Sequence, residues 1–267
     1  MLVSIYLSVY NEEDRLPAFL EYHRWCEHFY IAVKKSDDAT RELASQHDNV
    51  TIIDLPYSPP SEEFKSFKKL ILPRIQSEWI LNLGVADRVS LRLYETIEKS
   101  ILRKDCDVLE LPYQNIMFGI SSPTSPFPNL CYKALLCKTS VADFQSKIHN
   151  EIKFTSKKVK RITQTNEAVI HDSIVKTDEN FVNKIFLYAR TEVMQYTDIG
   201  VHNHPYIKRP IYNSLKVLFN GFFRRKTIFD GRHGKFLGLA YVLNHMMIMF
   251  VAYYELNRIK KEKSSND

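Results

Sequence analysis

The sequence predicts an α/β fold in which a mostly parallel sheet is flanked by helices and followed by a helical C-terminal extension. Apolar runs of strand length alternate with helical patterns four times before residue 105. From Val108 onward the strand-like runs are separated by long loops, and the last quarter of the chain returns to helical spacing. We therefore predict two domains, with residues 1–204 forming the α/β domain and residues 205–267 the extension.

Each element of the alternating half has its own signal in the sequence. Unbroken apolar runs predict strands, whereas apolar residues three or four apart beside a capping residue or a proline predict helices. Pro17 lies near the first turn of the first helix, and Ser36 to Asp38 supply a cap for the second. In chain order the predicted elements are strand Leu2–Val9, a helix from Leu16, strand Phe29–Val33, helix Ser36–Gln46, strand Val50–Leu55, helix Glu62–Ile75, a strand from Trp79 and helix Ser90–Lys104.

The second half of the chain departs from this alternation. Three strand-like runs, Val108–Leu111, Leu130–Cys137 and Ala168–His171, are separated by long connections. Helical spacing returns over residues 179–196, and from Pro210 two further helices are predicted on either side of Asp230–Gly234.

Composition and charge limit the classes of protein to consider. The chain has 267 residues, is 45% hydrophobic and carries a net charge of +6. Residues 205–267 hold 12 Lys and Arg against 4 Asp and Glu, so the basic excess lies entirely in the C-terminal extension. The four cysteines form no Cys-x-x-Cys pair, and no basic segment precedes the first strand as in a signal peptide. We expect a cytoplasmic protein with reduced cysteines.

Several nucleotide-binding motifs are missing from the sequence. No glycine precedes Gly84, which excludes a Gly-x-Gly-x-x-Gly turn or a Walker loop in the first three strand-to-helix connections. In an open α/β sheet, ligands instead bind outside the carboxyl ends of the strands. Lysines there can neutralise a diphosphate, and carboxylates can accept hydrogen bonds from a nucleoside. The polar residues at the predicted strand ends are Tyr10, Asn11, Glu12, Lys34, Lys35, Ser36, Asp38 and Asp87, and several of these could equally serve as helix caps.

The C-terminal segment Phe236–Tyr254 contains no formal charge over 19 residues. This approaches the ~20 residues needed to cross a bilayer, although Asn244 and His245 in its middle make a spanning helix costly. Three interpretations stay open: a core helix, a helix lying on a membrane surface, and a spanning helix. The basic residues around the segment favour an anionic membrane surface as a partner of residues 210–267. Because no nucleic-acid-binding module is present, nucleic acid is not expected as a partner.

Six short motifs, taken in order, resemble family 2 glycosyltransferases of the GT-A type, and are similar to the lipopolysaccharide-core type in particular. Each motif is weak by itself, and the resemblance depends on their order and spacing along most of the chain. The motifs are Ser8–Glu13, Ser36–Thr40 followed by Glu42–Ala44, Glu78–Leu83 with Asp87–Ser90, His149–Glu151, His171 and Asp230–Gly234.

The resemblance implies a GT-A fold and transfer of a sugar from a nucleotide-sugar to a saccharide or lipid-linked saccharide acceptor, in cell-surface polysaccharide or lipopolysaccharide synthesis. It also implies an inverting displacement, which needs a general base on the acceptor hydroxyl. Glu151 is the first candidate for this base and His149 the second. Lys133 and His171 join the strand-end residues as nucleotide-sugar ligands.

The metal site of the family is altered in this chain. Its Asp-x-Asp positions are occupied by Gly84 and Ala86, so Asp87 is the one acidic residue left to hold Mg²⁺ or Mn²⁺. Lys34 and Lys35 follow the second strand next to Val33, where the family has a nucleotide-binding aspartate. We therefore expect divalent metal to matter less here than in the family. The alternative is a non-catalytic GT-A relative that binds nucleotide-sugar or glycan.

Overall fold

A computed structural model of the chain describes residues 2–56, 67–116, 130–144, 152–163, 165–172, 209–224, 227–229 and 231–264. The chain divides into two compact units. The first comprises Met1–Gln114 and Leu130–Asp172, and the second comprises Asn115–Asn129 and Ser173–Asp267.

The first unit is built on one mixed sheet. Its strands are β1 (Val3–Val9), β2 (Phe29–Val33), β3 (Val50–Asp54), β4 (Trp79–Asn82), β5 (Asp87–Arg88), β6 (Val108–Ile116), β7 (Leu130–Lys138), β10 (Val159–Arg161) and β11 (Val169–Asp172), while β8 (Ala142–Asp143) and β9 (Lys153–Phe154) form a separate pair. The order across the sheet is β3-β2-β1-β4-β7-β6-β11-β5, with β10 beside β6.

The first four strands of the sheet are parallel, as the alternating pattern predicts. β1 lies between β2 and β4, and Ile5 is aligned with Phe29 on one side and Leu81 on the other. On its other side β4 pairs with β7 in the antiparallel direction, with Leu81 opposite Leu136. β10 pairs with β6 in parallel. The predicted α/β fold is confirmed.

Helices cover the parallel half and explain why its strands are apolar on both faces. They are α1 (Leu16–Tyr22), α2 (Thr40–Ser45), α3 (Lys68–Ile71) and α4 (Leu91–Ile101). Along β1, Ile5 and Leu7 belong to one buried cluster and Tyr6 belongs to a second on the opposite face. The sheet therefore separates two cores.

Several predicted boundaries need correction. The described part of the predicted helix 62–75 is a four-residue helix, α3, followed by a 3₁₀ turn at Leu72–Arg74, because Pro73 lacks the N–H that would continue the α-helical pattern. β6 extends five residues past the predicted end at Leu111. The predicted helix over residues 179–196 lies outside the described residues.

The second unit contains two described helices, α5 (Pro210–Phe219) and α6 (Gly231–Ser264). A π-helical turn at Asn220–Arg224 and a 3₁₀ turn at Thr227–Phe229 follow α5. The predicted break at Asp230–Gly234 is therefore too long, because α6 already begins at Gly231. Within the described residues, Gly231–Tyr254 is a helix of sufficient length and apolarity to cross a bilayer. Its most apolar window is 39% buried, and a core helix could have the same composition.

His23 connects α1 to the segment that precedes α4. The ring is fully buried just after the end of α1, where Nδ1 lies 2.9 Å from the carbonyl oxygen of Phe19. The backbone N–H of Val89 donates to Nε2 over 3.1 Å, so Nε2 must be unprotonated and Nδ1 carries the hydrogen. Burial lowers the pKa of His23 to about 4, which keeps the ring in this neutral form.

We predict that acid destabilises the first unit through His23. Its pKa is about 4 in the folded protein and near 6.5 when exposed, so the unfolded chain takes up the proton first. The contribution is intact above about pH 6.5, is lost progressively towards pH 4, and totals about 3 kcal/mol. Urea unfolding at about pH 7 and about pH 4.5 should show this loss, and His23→Gln should reduce it. His47→Gln, at an exposed histidine, is the matched control, and an equal pH dependence in all three proteins would contradict the prediction.

Candidate functional site

The carboxyl ends of β1 and β2 are joined by reciprocal hydrogen bonds between the loops that follow them. We call residues 11–13 and 36–40 the loop clasp. The backbone N–H of Asn11 donates to Ser36 Oγ over 3.2 Å, and its Oδ1 accepts from the N–H of Asp37 at 3.0 Å. Asn11 has a φ of 52°, a left-handed conformation that asparagine tolerates better than most residues. This conformation turns the chain from β1 into the contact.

Three further residues complete the clasp. Asp38 accepts from the N–H of Glu13 through Oδ2 at 3.1 Å and from the N–H of Thr40 through Oδ1 at 3.1 Å. Glu13 returns the contact by accepting from the N–H of Ala39 at 2.9 Å. The buried Thr40 accepts from the N–H of Glu12 at 2.7 Å. These bonds use the very N–H groups that a phosphate-binding loop would offer to a ligand.

The clasp changes how the predicted strand-end residues are interpreted. Asp38 acts in part as a helix cap, because its Oδ1 accepts from the backbone N–H of Thr40, the first residue of α2. Sequence reasoning did not select Glu13 and Thr40 as site residues, although both lie within the quoted motifs. Tyr10, by contrast, is 51% exposed directly after β1.

The lysines after β2 lie beside the clasp. The N–H of Lys34 donates to the carbonyl oxygen of Val9 over 3.0 Å, which extends the β1–β2 ladder by one residue. The Lys34 side chain is half-buried and that of Lys35 is exposed. Glu12, itself part of the clasp, forms an ion pair with Arg15.

A second group of predicted residues meets at Asp87, which is 5% exposed. Its Oδ1 accepts from Tyr113 Oη at 2.8 Å and from His171 Nδ1 at 2.7 Å, and its Oδ2 accepts from the N–H of Gly84 at 2.7 Å. The His171 ring stacks on Tyr113 with centroids 5.8 Å apart, and Lys133 Nζ lies 3.6 Å from the centroid of the Tyr113 ring. We call Asp87, Tyr113, Lys133 and His171 the Asp87 cluster.

The Asp87 cluster is assembled by strand pairing. His171 is directly opposite Asp87 in the antiparallel β5–β11 pair. Lys133 faces Leu111 across β6 and β7, so it lies diagonally to Tyr113 on the same face of the sheet. Burial, followed by the charge of Asp87, raises the pKa of Tyr113 well above its usual range, so the phenol stays protonated as a donor. Sequence reasoning missed Tyr113, because an aromatic residue in an apolar strand gives no functional signal.

Arg88 stabilises the turn before β5 by hydrogen bonds to its backbone. One guanidinium nitrogen donates to the carbonyl oxygens of Val85 and Asp87, at 2.7 and 2.9 Å. Its guanidinium carbon also lies 5.8 Å from the centroid of Phe19 and 5.6 Å from that of Tyr22. Burial lowers the pKa of Arg88, although the nearby carboxylates of Asp172 and Asp87 act in the opposite direction.

The donor atoms around Asp87 do not fit a divalent metal. Three protein hydrogen bonds already occupy the carboxylate, and His171 Nδ1 is one of their partners. Gly84 and Ala86 have no side-chain ligands, and no group of three His, Cys, Asp or Glu suited to a metal occurs among the described residues. One remaining lone pair of Oδ2 falls far short of an octahedral set. His149 and Glu151, the two candidate bases, lie outside the described residues.

Comparison with known proteins gives a structural match and no sequence match. No family model matches the chain, and neither does any curated protein. The structure is similar to S. aureus TarS 1–349 in complex with UDP-GlcNAc, with a TM-score of 0.51 and 10% identity over 96% of this chain and 92% of that one. The fold is that of the GT-A glycosyltransferases. Structures of TarS 1–349 without that ligand and with UDP match over the same shares, with TM-scores of 0.48 and 0.47 and identities of 11% and 10%.

The loop clasp leads to a prediction about stability. Asp38→Ala removes two acceptors and leaves two backbone N–H groups without their partner, which should lower the free energy of unfolding by about 1–3 kcal/mol. Asp37→Ala is the matched control, because only the backbone N–H of Asp37 enters the clasp. Its effect should stay within about 0.5 kcal/mol in urea unfolding. Equal effects of the two changes would show that the two hydrogen bonds of Asp38 add nothing to stability.

Proposed function

We propose that this protein is a glycosyltransferase that moves a sugar from a nucleotide-sugar to a saccharide or lipid-linked saccharide acceptor. The observation that carries the proposal is the GT-A fold shared with TarS 1–349, which covers 96% of this chain and 92% of that fragment. Because that neighbour was crystallised with UDP-GlcNAc, a UDP-sugar is the first donor to test. The order of motifs resembling the lipopolysaccharide-core type supports a role in cell-surface polysaccharide synthesis, at the cytoplasmic side of a membrane.

In this proposal the two groups of site residues have different tasks. The loop clasp fixes the ends of β1 and β2, so that Tyr10, Lys34 and Lys35 are presented from a rigid edge. A lysine ammonium there can neutralise the diphosphate that leaves during transfer, and such charge stabilisation is a major contribution to catalysis. His171 and Lys133 supply further polar groups on the Asp87 cluster.

The reaction also needs a proton acceptor for the attacking hydroxyl. We propose Glu151 for this task, with His149 as the second candidate, on the strength of the sequence motif. The displacement is inverting in this scheme: the acceptor oxygen forms its bond to the anomeric carbon as the bond to the diphosphate breaks, and Glu151 takes the hydroxyl proton.

A non-catalytic role is the second candidate, and one observation favours it. Asp87 is engaged in three hydrogen bonds within the protein, and the neighbouring Gly84 and Ala86 carry no carboxylate. A GT-A relative of this kind would bind nucleotide-sugar or glycan without turnover.

Donor binding tests the proposal directly. Calorimetry with UDP-, GDP-, dTDP- and CMP-sugars at about 1 mM should identify one donor that binds in EDTA, because lysines rather than a divalent ion neutralise its diphosphate. Lys34→Ala or Lys35→Ala should weaken binding about 10-fold, whereas Lys99→Ala, at an exposed lysine on α4, should not. Binding that is abolished by EDTA and restored by Mn²⁺ would contradict metal independence. The absence of binding to every donor would contradict the transferase proposal.

Turnover tests the base. Glu151→Gln preserves the shape of the side chain but removes the proton acceptor, so the rate of transfer should fall roughly 10²-fold or more while donor affinity is retained. Full activity in Glu151→Gln beside an inactive His149→Ala would assign the base to His149. Donor binding without turnover in the unaltered protein would instead support the non-catalytic role.

A further inference from the structure

One face of α6 is apolar and exposed. Leu239, Leu243, Met246 and Phe250 follow one another at intervals of four, three and four residues, and Tyr254 continues the series. All five are exposed, for example Leu243 at 46% and Phe250 at 61%. Such spacing places them on one side of the helix, in a line ~22 Å long. We call these five residues the apolar stripe.

The opposite face of α6 is packed within the second unit. Gly238 approaches the π-helical turn so closely that a Cβ there would lie 2.8 Å from the carbonyl oxygen of Gly221 and 2.9 Å from Thr227 Oγ1. Thr227 Oγ1 also donates to the carbonyl of Gly221 over 2.5 Å. Leu237 and Ala252 are fully buried. The helix is therefore held by one face, and the apolar stripe lies on the other.

Exposed apolar residues also occur on α5 and the π-helical turn. Val217 is buried, and Ser214 Oγ approaches Met249 of α6 within 3.4 Å. The exposed residues of this short segment include the large apolar side chains of Tyr212, Leu215, Phe219 and Phe223. Exposed large apolar residues gathered in this way on neighbouring elements are typical of an interaction site.

The charge around the apolar stripe indicates which kind of partner it fits. Residues 236–254 have no formal charge, and the exposed Arg232 and Lys235 precede the apolar stripe at matching helical positions. After Tyr254 the chain holds four basic and three acidic residues, so most of the positive charge near the apolar stripe lies before it. A second copy of the chain would bring like charges together and would find no charged residues beside the stripe to pair with. An anionic lipid surface, by contrast, is attracted by the basic residues and accepts the apolar side chains.

We propose that the apolar stripe inserts into the interface of an anionic lipid bilayer, with α6 lying in the plane of the membrane. A spanning orientation would place Asn244 and His245 at the bilayer centre, and it would expose to lipid a face that now packs on Gly221 and Thr227. A helix lying at the interface keeps that packed face on the protein side. This proposal does not depend on transferase activity.

The first test measures binding of the full chain to vesicles of phosphatidylcholine with phosphatidylglycerol, and to phosphatidylcholine alone. Binding should require phosphatidylglycerol and should weaken at least ~10-fold between about 0.1 M and 1 M NaCl, because the Debye length shortens from ~10 to ~3 Å. The double variant Leu243→Glu/Phe250→Glu should bind at least ~10-fold more weakly. Leu102→Glu is the matched control, since Leu102 is 65% exposed on the first unit. Equal binding by the stripe variant, or equal loss in the control, would overturn the proposal.

The second test uses milder changes and distinguishes the orientation. Leu243→Trp and Phe250→Trp each replace one exposed apolar residue with another, so the fold should be retained. Quenching by lipids brominated at different depths should place both indoles at the same shallow depth, whereas Leu102→Trp should not be quenched. In a spanning helix the two indoles, seven residues apart, would differ in depth by up to ~10 Å, because each residue adds ~1.5 Å. Such a difference would overturn the proposal. So would a lipid-free dimer that dissociates when the apolar stripe is altered and that binds no vesicles.

Discussion

The buried carboxylate of Asp87 connects three segments that are distant in sequence. It accepts from Gly84 in the turn after β4, from Tyr113 on β6 and from His171 on β11. A buried carboxylate is stable only when its oxygens are hydrogen-bonded, and bonds to a charged group contribute about 1.5–3 kcal/mol each. The short β5–β11 pair, with only two aligned residues, therefore depends on Asp87 for its position. So does the orientation of His171 and Tyr113.

The loop clasp and the Asp87 cluster handle polar groups in opposite ways. In the clasp, side chains of Asn11, Glu13 and Asp38 satisfy backbone N–H groups, so the loops become rigid but lose donors that could cradle a phosphate. In the Asp87 cluster, side-chain donors converge on one carboxylate. In both arrangements, the side chains that remain for ligand binding are those that do not take part in these internal hydrogen bonds. Among the strand-end residues, Lys34 and Lys35 are therefore the groups to which the proposed function assigns contact with an anionic donor.

The inner strands β1, β2 and β4 could be predicted because burial on both faces makes them largely apolar runs. The edge strand β3 gave a weaker signal, since Ile53 is its one buried residue. The beginning of α4 was predictable for a local reason, since Ser90 caps it by accepting from the N–H of Leu93 at 3.1 Å. The contacts of the candidate site were not predictable, because they are set by pairing across the sheet. Nothing in the sequence near Tyr113 indicates that its hydroxyl reaches Asp87. Likewise, the reciprocal bonds of the clasp join loops 25 residues apart.

Gly84 and Ala86, which carry no carboxylate, have a physical consequence for the neighbouring Asp87. A Cβ at position 84 would lie 3.4 Å from Asp87 Oδ2, an ordinary contact, so steric exclusion does not explain the glycine. A carboxylate there would instead bring a second negative charge beside a buried one, which is unfavourable unless a cation lies between them. Without that second charge, Asp87 can be satisfied entirely by neutral donors and His171. The glycine and the internally bonded Asp87 are thus parts of one arrangement that leaves no second carboxylate to hold a cation. Under the proposed function, the positive charge that faces a diphosphate then comes from side chains such as Lys34.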